Sequence, residues 1–304
     1  MKNKDFNKLM KLQELEKRQS GHESTADLYR AVRNHFERFN GGRALALAAV
    51  TPEKVHAFLK WLRDRDLQVN SVNSYISNLR VMYNRACLGW KNKPKESPFA
   101  GLHLRREETR KRAVSKKVIN RIASLDLKNE SGKQQAVDLA LFSFMACGMP
   151  FVDVVHLTRD NLIENGKVLS YRRQKTGVLI ELEVTSGMQF LIDRYRKADA
   201  TYLFPVLLED ATHEQYKDCL AKQNRYLKDI CVMLNLPEKL TTYVFRHTWA
   251  SEANRCHVPI GVISQALGHS TEAMTRIYLN AFAVDELGKA AKKVSGRIEQ
   301  LVRG

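Results

Sequence analysis

The sequence predicts a mainly α protein in two parts, with a small three-stranded antiparallel sheet inside the second part. Three observations carry this prediction. Apolar residues recur at helical spacing along most of the chain, with capping residues where the runs begin. A segment rich first in Pro and Gly and then in charge, from Pro94 to Arg112, interrupts that pattern. Downstream, two turn signals, Asn165-Gly166 and Lys175-Thr176-Gly177, separate three short apolar runs.

In the first part, Met1-Lys2-Asn3-Lys4-Asp5 is followed by no apolar run and leads into a charged helix, so no secretory leader is expected. Ser24-Thr25 reads as the cap of a helix bearing Leu28, Val32, Phe36 and Phe39. Thr51-Pro52-Glu53 is a strong start signal for a helix with Val55, Phe58, Leu59 and Leu62 on one face. Asn70-Ser71 begins another, with Val72, Tyr75, Ile76, Leu79 and Met82 inside. Together these make a small helical bundle over residues 1–107. Pro94, Pro98 and Gly101 end it, and Arg105-Arg106-Glu107-Glu108-Thr109-Arg110-Lys111-Arg112 follows almost without apolar content. That run reads either as a solvated linker or as a segment crossing a phosphate backbone.

The second part covers residues 108–304. Residues 137–147 read as a buried helix, and Pro150 suits the first turn of a helix over residues 151–157. Asn165-Gly166 joins Leu162-Ile163 to Val168-Leu169, and the second turn joins residues 170–174 to 178–182. Thr241-Thr242 can cap a helix running through Trp249. Pro259 opens a short helix that Gly268 stops. Ser270-Thr271-Glu272 starts the next, with Met274, Ile277 and Tyr278 spaced for one face. Residues 285–302 repeat Leu287, Ala290, Val294, Ile298 and Leu301 at helical spacing, with basic residues between them, which predicts an amphipathic tail helix.

Composition narrows the function. Lys plus Arg number 50 against 33 Asp plus Glu, a net charge of +17, so a polyanion is the expected partner. No run approaches the roughly 18 apolar residues of a membrane span. The five cysteines are odd in number and show no Cys-x-x-Cys, which suits reduced thiols. The nine histidines show no paired metal spacing. No metal and no cofactor are expected, and the protein is expected to be cytoplasmic and nucleoid-associated.

The most informative feature is an ordered set near the C-terminus: Arg246-His247, then Leu267-Gly268-His269, then Tyr278 nine positions after His269. Singly, such residues are usually structural; their order and spacing carry the signal. Arg and His can grip a phosphate, and Tyr can attack one. The set resembles the tyrosine recombinases, or phage-type integrases, whose second box, Leu-Gly-His motif and nucleophilic Tyr share this spacing. The wording Gly148-Met149-Pro150-Phe151-Val152-Asp153 resembles the integrases of conjugative transposons.

The resemblance implies a core-binding domain over residues 1–107 and an α+β catalytic domain with a tail helix over 108–304. It implies a site-specific DNA recombinase in which Tyr278 forms a 3′-phosphotyrosine without ATP. The partner would be double-stranded DNA with inverted half-sites, bound by a homotetramer that is a monomer free in solution. The tail helix would dock onto a neighbouring protomer. Arg246 would clamp the phosphate, His269 would be a second donor, and Lys175 would protonate the leaving oxygen. Two positions depart from the family pattern. Pro150 stands where the first catalytic Arg belongs, and Tyr243 where a His belongs. Tyr243 keeps a hydroxyl that can donate to the phosphate. Asp153 is expected to buttress Arg246 or a helix start. Because residues two apart on a strand share a face, Arg173 is expected to replace the missing Arg, with Arg172 pointing away. Arg80, Arg105, Arg106, Arg110, Lys111 and Arg112 are candidate DNA contacts. A catalytically impaired DNA-binding regulator of the same fold and a type IB topoisomerase-like enzyme remain open.

Overall fold

The structure is a computed structural model that describes residues 3–91, 93–105, 107, 112–277, 279, 291, 293 and 295. The chain divides into two compact units, Met1–Thr109 and Arg110–Gly304.

The described residues of unit 1 form the α-helices α1 (Phe6–Gln19), α2 (Glu23–Phe39), α3 (Pro52–Arg63) and α4 (Val69–Ala86). The charged lead-in is α1, started by the Asp5 side chain, which accepts from the Asn7 amide at 3.1 Å. It belongs to the core because Phe6 and Met10 are fully buried. The helix expected to be capped by Ser24-Thr25 starts at Glu23, with His22 in the cap position. The reason is the tight reversal before it: Gly21 takes φ 74°, and the His22 amide donates to the Lys17 carbonyl at 2.9 Å. α3 starts as expected, with Thr51 accepting from the Lys54 amide at 3.3 Å and Pro52 in the first turn. Aromatic edges tie the bundle together. Phe36 meets Phe6 and Phe58 with ring centroids 5.8 and 5.1 Å apart, and Tyr83 lies 6.0 Å from Phe6.

The start of the charged run is fastened to α4. Asn70 donates to the Glu107 carbonyl at 2.8 Å and accepts from its amide at 3.2 Å. Asn73 donates to the Arg105 carbonyl at 2.8 Å. Arg106, Arg110 and Lys111 lie outside the described residues, as do most of the expected tail residues 285–302.

Unit 2 is built around α6 (Ser131–Met145), whose whole circumference is buried where it passes between two apolar clusters. One cluster joins α6 to α5 (Lys116–Ala123), α9 (His213–Met233) and α10 (Thr242–Arg255). The other joins it to α7 (Phe151–Val155), the sheet and α8 (Ser186–Tyr195). The sheet is β1 (Leu162–Ile163), β2 (Val168–Arg172) and β3 (Leu179–Glu183), antiparallel in the order β1-β2-β3. Its register pairs Ile163 with Val168 and Arg172 with Leu179, so both turn signals act as hairpins. Two short helices follow, α11 (Ile260–Leu267) and α12 (Glu272–Arg276).

Phe36→Ala should lower the free energy of unfolding by about 3–5 kcal/mol through the cavity it leaves. Thr51→Ala removes one cap and should cost about 1 kcal/mol. Urea unfolding followed by circular dichroism measures both; equal losses would contradict the aromatic core described above.

Candidate active site

The corner after α6 is the first part of the site. Cys147 and Gly148 both take left-handed backbone, with φ 57° and 70°. A Cβ on Gly148 would lie 2.9 Å from the Arg246 Cα, so only glycine admits α10 this close. The Ser143 hydroxyl donates to the Met149 carbonyl at 2.5 Å and holds the corner. Pro150 then caps α7 with φ −62° and ψ 149°, and supplies no cation. α7 carries Asp153, which is 3% exposed.

The hairpin is the second part. Strand alternation buries Tyr171 and Arg173 and exposes Arg172, whose guanidinium donates to the Gly177 carbonyl at 3.1 Å. Arg173 turns inward. Its Nε donates to Asp153 at 2.7 Å, and its Nη1 donates to the Leu267 carbonyl. The second Asp153 oxygen accepts from the Gln174 amide at 2.8 Å. Burial pushes the Asp153 carboxyl up, against the pull of the Gln174 amide and the Arg173 and Arg246 charges. The hydrogen-bonded partners of Asp153 are therefore Arg173 and the Gln174 amide; as expected it also stands in the first turn of a helix, α7, and within reach of the Arg246 charge. Lys175 is exposed in the turn.

The third part comes from α10 and α11. Arg246 is 2% exposed and donates to the Gly148 carbonyl at 3.0 Å and the Leu267 carbonyl at 2.6 Å. Its Nη2 lies 3.1 Å from His269 Nε2. Tyr243, one turn before Arg246 on α10, is 40% exposed, with its ring edge-on to His247 at 5.1 Å. α11 ends on Gly268 at φ 62°, as expected. A Cβ there would meet Ile180 Cδ1 at 3.0 Å and Arg173 Cγ at 3.1 Å. Gly268 is thus required twice, by its backbone and by the packing of Arg173.

His269 completes the cluster. Its Nδ1 lies 2.8 Å from the Thr275 hydroxyl of α12. Burial first, then the charges of Arg246, Arg173 and Lys175, lower its pKa to about 4, so the ring is neutral near neutral pH. The expected α12 face is different in the structure. Met274 and Ile277 are 40% and 63% exposed, and the buried residue is Thr275, at 0%. Tyr278 lies outside the described residues.

The structure brings Arg173, Arg246 and His269 together, with Lys175 close enough to act on His269. Among the described residues, Asp153 is the carboxylate that forms an ion pair with this group, through Arg173. The cluster suits an oxyanion such as a phosphodiester. Sequence reasoning missed Thr275 and the carbonyls of Gly148 and Leu267. A carbonyl has no residue signature, and a helical Thr carries no mark of its partner. Among the other basic candidates, Arg105 and Arg112 are exposed. Arg80 has a structural task inside unit 1: it donates to the Phe99 carbonyl at 3.2 Å and lies 5.6 Å from that ring. Among the described residues, no helix is long and apolar enough to cross a membrane, and no group of three or more His, Cys, Asp or Glu could hold a metal ion.

Comparison with known proteins adds to this geometry. Residues 5–95 match the phage integrase SAM-like domain, and residues 112–284 match the phage integrase family. The chain is 22% identical over 266 residues to tyrosine recombinase XerD of Rickettsia bellii (strain RML369-C), covering 80% of this chain and 83% of the relative. Its fold is similar to the Tn1549 transposon integrase in complex with transposon right end DNA, at TM-score 0.68 and 15% identity, covering 95% of this chain and 99% of the other. It is also similar to a lambda integrase tetramer bound to a Holliday junction, at TM-score 0.62 and 14% identity, covering 85% and 72%.

The His269 pKa gives a pH prediction. The ordinary value is 6.5 and the folded value about 4, so between them the unfolded chain binds a proton that the folded chain does not. Stability from this group is complete above about 6.5 and is lost as pH falls towards about 4. His269→Gln cannot take up that proton. Its urea midpoint should fall less between pH 7 and pH 4.5 than that of the unaltered chain; parallel losses would place His269 in an ordinary solvated setting.

Proposed function

The chain belongs to the phage integrase family and is a site-specific tyrosine recombinase, and we propose that its chemistry runs through the Arg173–Arg246–His269 cluster with Tyr278 as nucleophile. The observation that carries this reading is the convergence of both guanidiniums on the one Leu267 carbonyl. They are held side by side.

The phenol oxygen of Tyr278 attacks the scissile phosphorus and gives up its proton; the bond from phosphorus to the 5′-oxygen breaks, and that oxygen takes up a proton as it leaves. The 3′-phosphotyrosine keeps the bond energy, so rejoining reverses the same step. Charge builds on the non-bridging oxygens in the transition state. Preorganised guanidiniums stabilise it without having to reorganise. Lys175, exposed at the hairpin tip, is the general acid in this reading. Tyr243, half-exposed on α10, offers a hydroxyl where the family pattern has His. Arg173 supplies the second strong cation that Pro150 cannot.

The alternative of an impaired regulator rested on Pro150. A buried Arg on the hairpin, paired with Asp153, supports the recombinase reading over it. A topoisomerase-like enzyme would relax plasmids that lack a recombination site, and the recombinase should not. Unit 1 and the basic run are proposed to hold duplex DNA through phosphate contacts. Assembly is proposed as a tetramer on paired half-sites, by likeness to the lambda integrase tetramer on a Holliday junction. A cytoplasmic, nucleoid-associated place is proposed with it.

Tyr278→Phe should abolish the covalent protein–DNA adduct on nicked suicide duplexes while duplex affinity stays near that of the unaltered chain. An undiminished adduct would overturn the assignment.

Arg173→Ala should reduce adduct formation on the order of a hundred- to a thousand-fold, the usual cost of one preorganised donor. Arg172→Ala, outside the cluster, should have only a mild effect. Single-turnover cleavage decides: equal rates for the two variants would mean that the compensation for Pro150 lies elsewhere.

A further inference from the structure

We infer that Asn70 and Asn73 are positioning residues for duplex binding: their side chains strap the backbone at Arg105 and Glu107 to the start of α4, and so hold Arg105 in place for a backbone phosphate. The inference rests on the recombinase reading above for its effect on DNA affinity, but not for its effect on the strapped backbone.

Side chains along an extended chain point to opposite sides in turn. The residues after Gly101 follow that rule. Leu102 and Leu104 are half-buried against the apolar core of unit 1, while His103 and Arg105 are exposed. Apolar contact therefore holds the chain as far as Leu104. Beyond it no apolar residue comes before Ala113. At that point two asparagines one helical turn apart, on one face of α4, take over. Asn73 is buried, and its Nδ2 donates to the Arg105 carbonyl at 2.8 Å. Asn70 takes both backbone groups of Glu107: its Nδ2 donates to the carbonyl at 2.8 Å, and its Oδ1 accepts from the amide at 3.2 Å. One side-chain amide thus pairs with a residue as a neighbouring antiparallel strand does.

All three bonds engage backbone groups, so the strap asks nothing of the side chains it holds. The Arg105 guanidinium stays exposed while its main chain is fixed. Glu107 is exposed as well, and a carboxylate repels phosphate, so the contact is assigned to Arg105, whose planar fork suits phosphate oxygens. A charged segment that is ordered only on DNA gives up conformational entropy when it binds. A segment ordered in advance has already given it up, and its contact weakens binding less through ordering. The asparagines act on the phosphate through Arg105 and touch no DNA themselves in this reading.

The test uses the full chain and two readouts. Trypsin needs the Arg105 carbonyl to cut after Arg105, and the strap withholds it. Brief digests without DNA, read by mass spectrometry, give cutting after Arg105 relative to cutting after Arg112. Asn70→Ala, at a half-buried position, should raise that ratio roughly tenfold, the effect of losing two hydrogen bonds on a local opening. Asn73→Ala, which releases the Arg105 carbonyl itself, should do the same. The second readout is fluorescence anisotropy with a short labelled duplex of arbitrary sequence, since phosphate contacts carry no sequence information. Arg105→Ala should weaken binding roughly tenfold and lower the salt slope by about 0.9, one phosphate contact. Asn70→Ala should weaken binding by a similar factor, and in that background Arg105→Ala should cost less than about threefold. Losses that multiply independently would show that Asn70 supports unit 1 without positioning Arg105, and would overturn the inference. So would an unchanged trypsin ratio in both asparagine variants. Should the unaltered chain bind no duplex at low salt, the proposed function fails, and the trypsin ratio still decides the strap.

Discussion

The carbonyl of Leu267 is the point from which the site is arranged. It sits at the C-terminus of α11, where a helix leaves its last carbonyls without partners inside the helix and presents the negative end of its dipole. Arg173 arrives from the hairpin and Arg246 from α10, and both donate to it. A single acceptor thereby sets the spacing of two cations that come from segments far apart in the chain. Gly268 follows from this constraint. Any side chain there would press on Arg173, and the sharp exit it makes delivers His269 to the same cluster.

Holding two guanidiniums together in a buried setting is costly unless their charge is answered. Asp153 answers part of it, with one oxygen on Arg173 and the other on the Gln174 amide. The Gly148 carbonyl answers part of the rest through Arg246. In the proposed mechanism the remaining positive charge meets the scissile phosphate. Burial first, and then the same positive charge, keeps His269 neutral. The site is therefore coupled: changing one cation alters the protonation of the ring, the setting of Asp153 and the seat of the other cation.

In the proposed mechanism Pro150 stands where the family pattern has a cation, and Arg173 takes over that charge. The proline still does local work at the start of α7 and so still places Asp153. Asp153 in turn captures a cation that reaches the pocket along a strand. In that proposal the chemistry requires positive charge at one point in space, and the hairpin supplies it.

Much of this was legible in the sequence, and the boundary has physical causes. Helices declared themselves through spacing and caps, as at Thr51-Pro52, and the hairpins through Asn165-Gly166 and Lys175-Thr176-Gly177. Such signals are local, so a reader of residues finds them. Strand alternation was enough to separate Arg173 from Arg172, because period two is a property of the backbone. The ordered Arg246, His269 and Tyr278 set could be read because the family spaces it along the chain. Other features depended on the tertiary structure. Asp153 was hydrogen-bonded to Arg173; Thr275, and not Met274 or Ile277, faced the interior; and two carbonyls without any residue signature became the acceptors of the clamp. Each of these is a contact between segments distant in sequence or a choice of which helix face is buried. Packing settles such contacts only when the whole unit has folded.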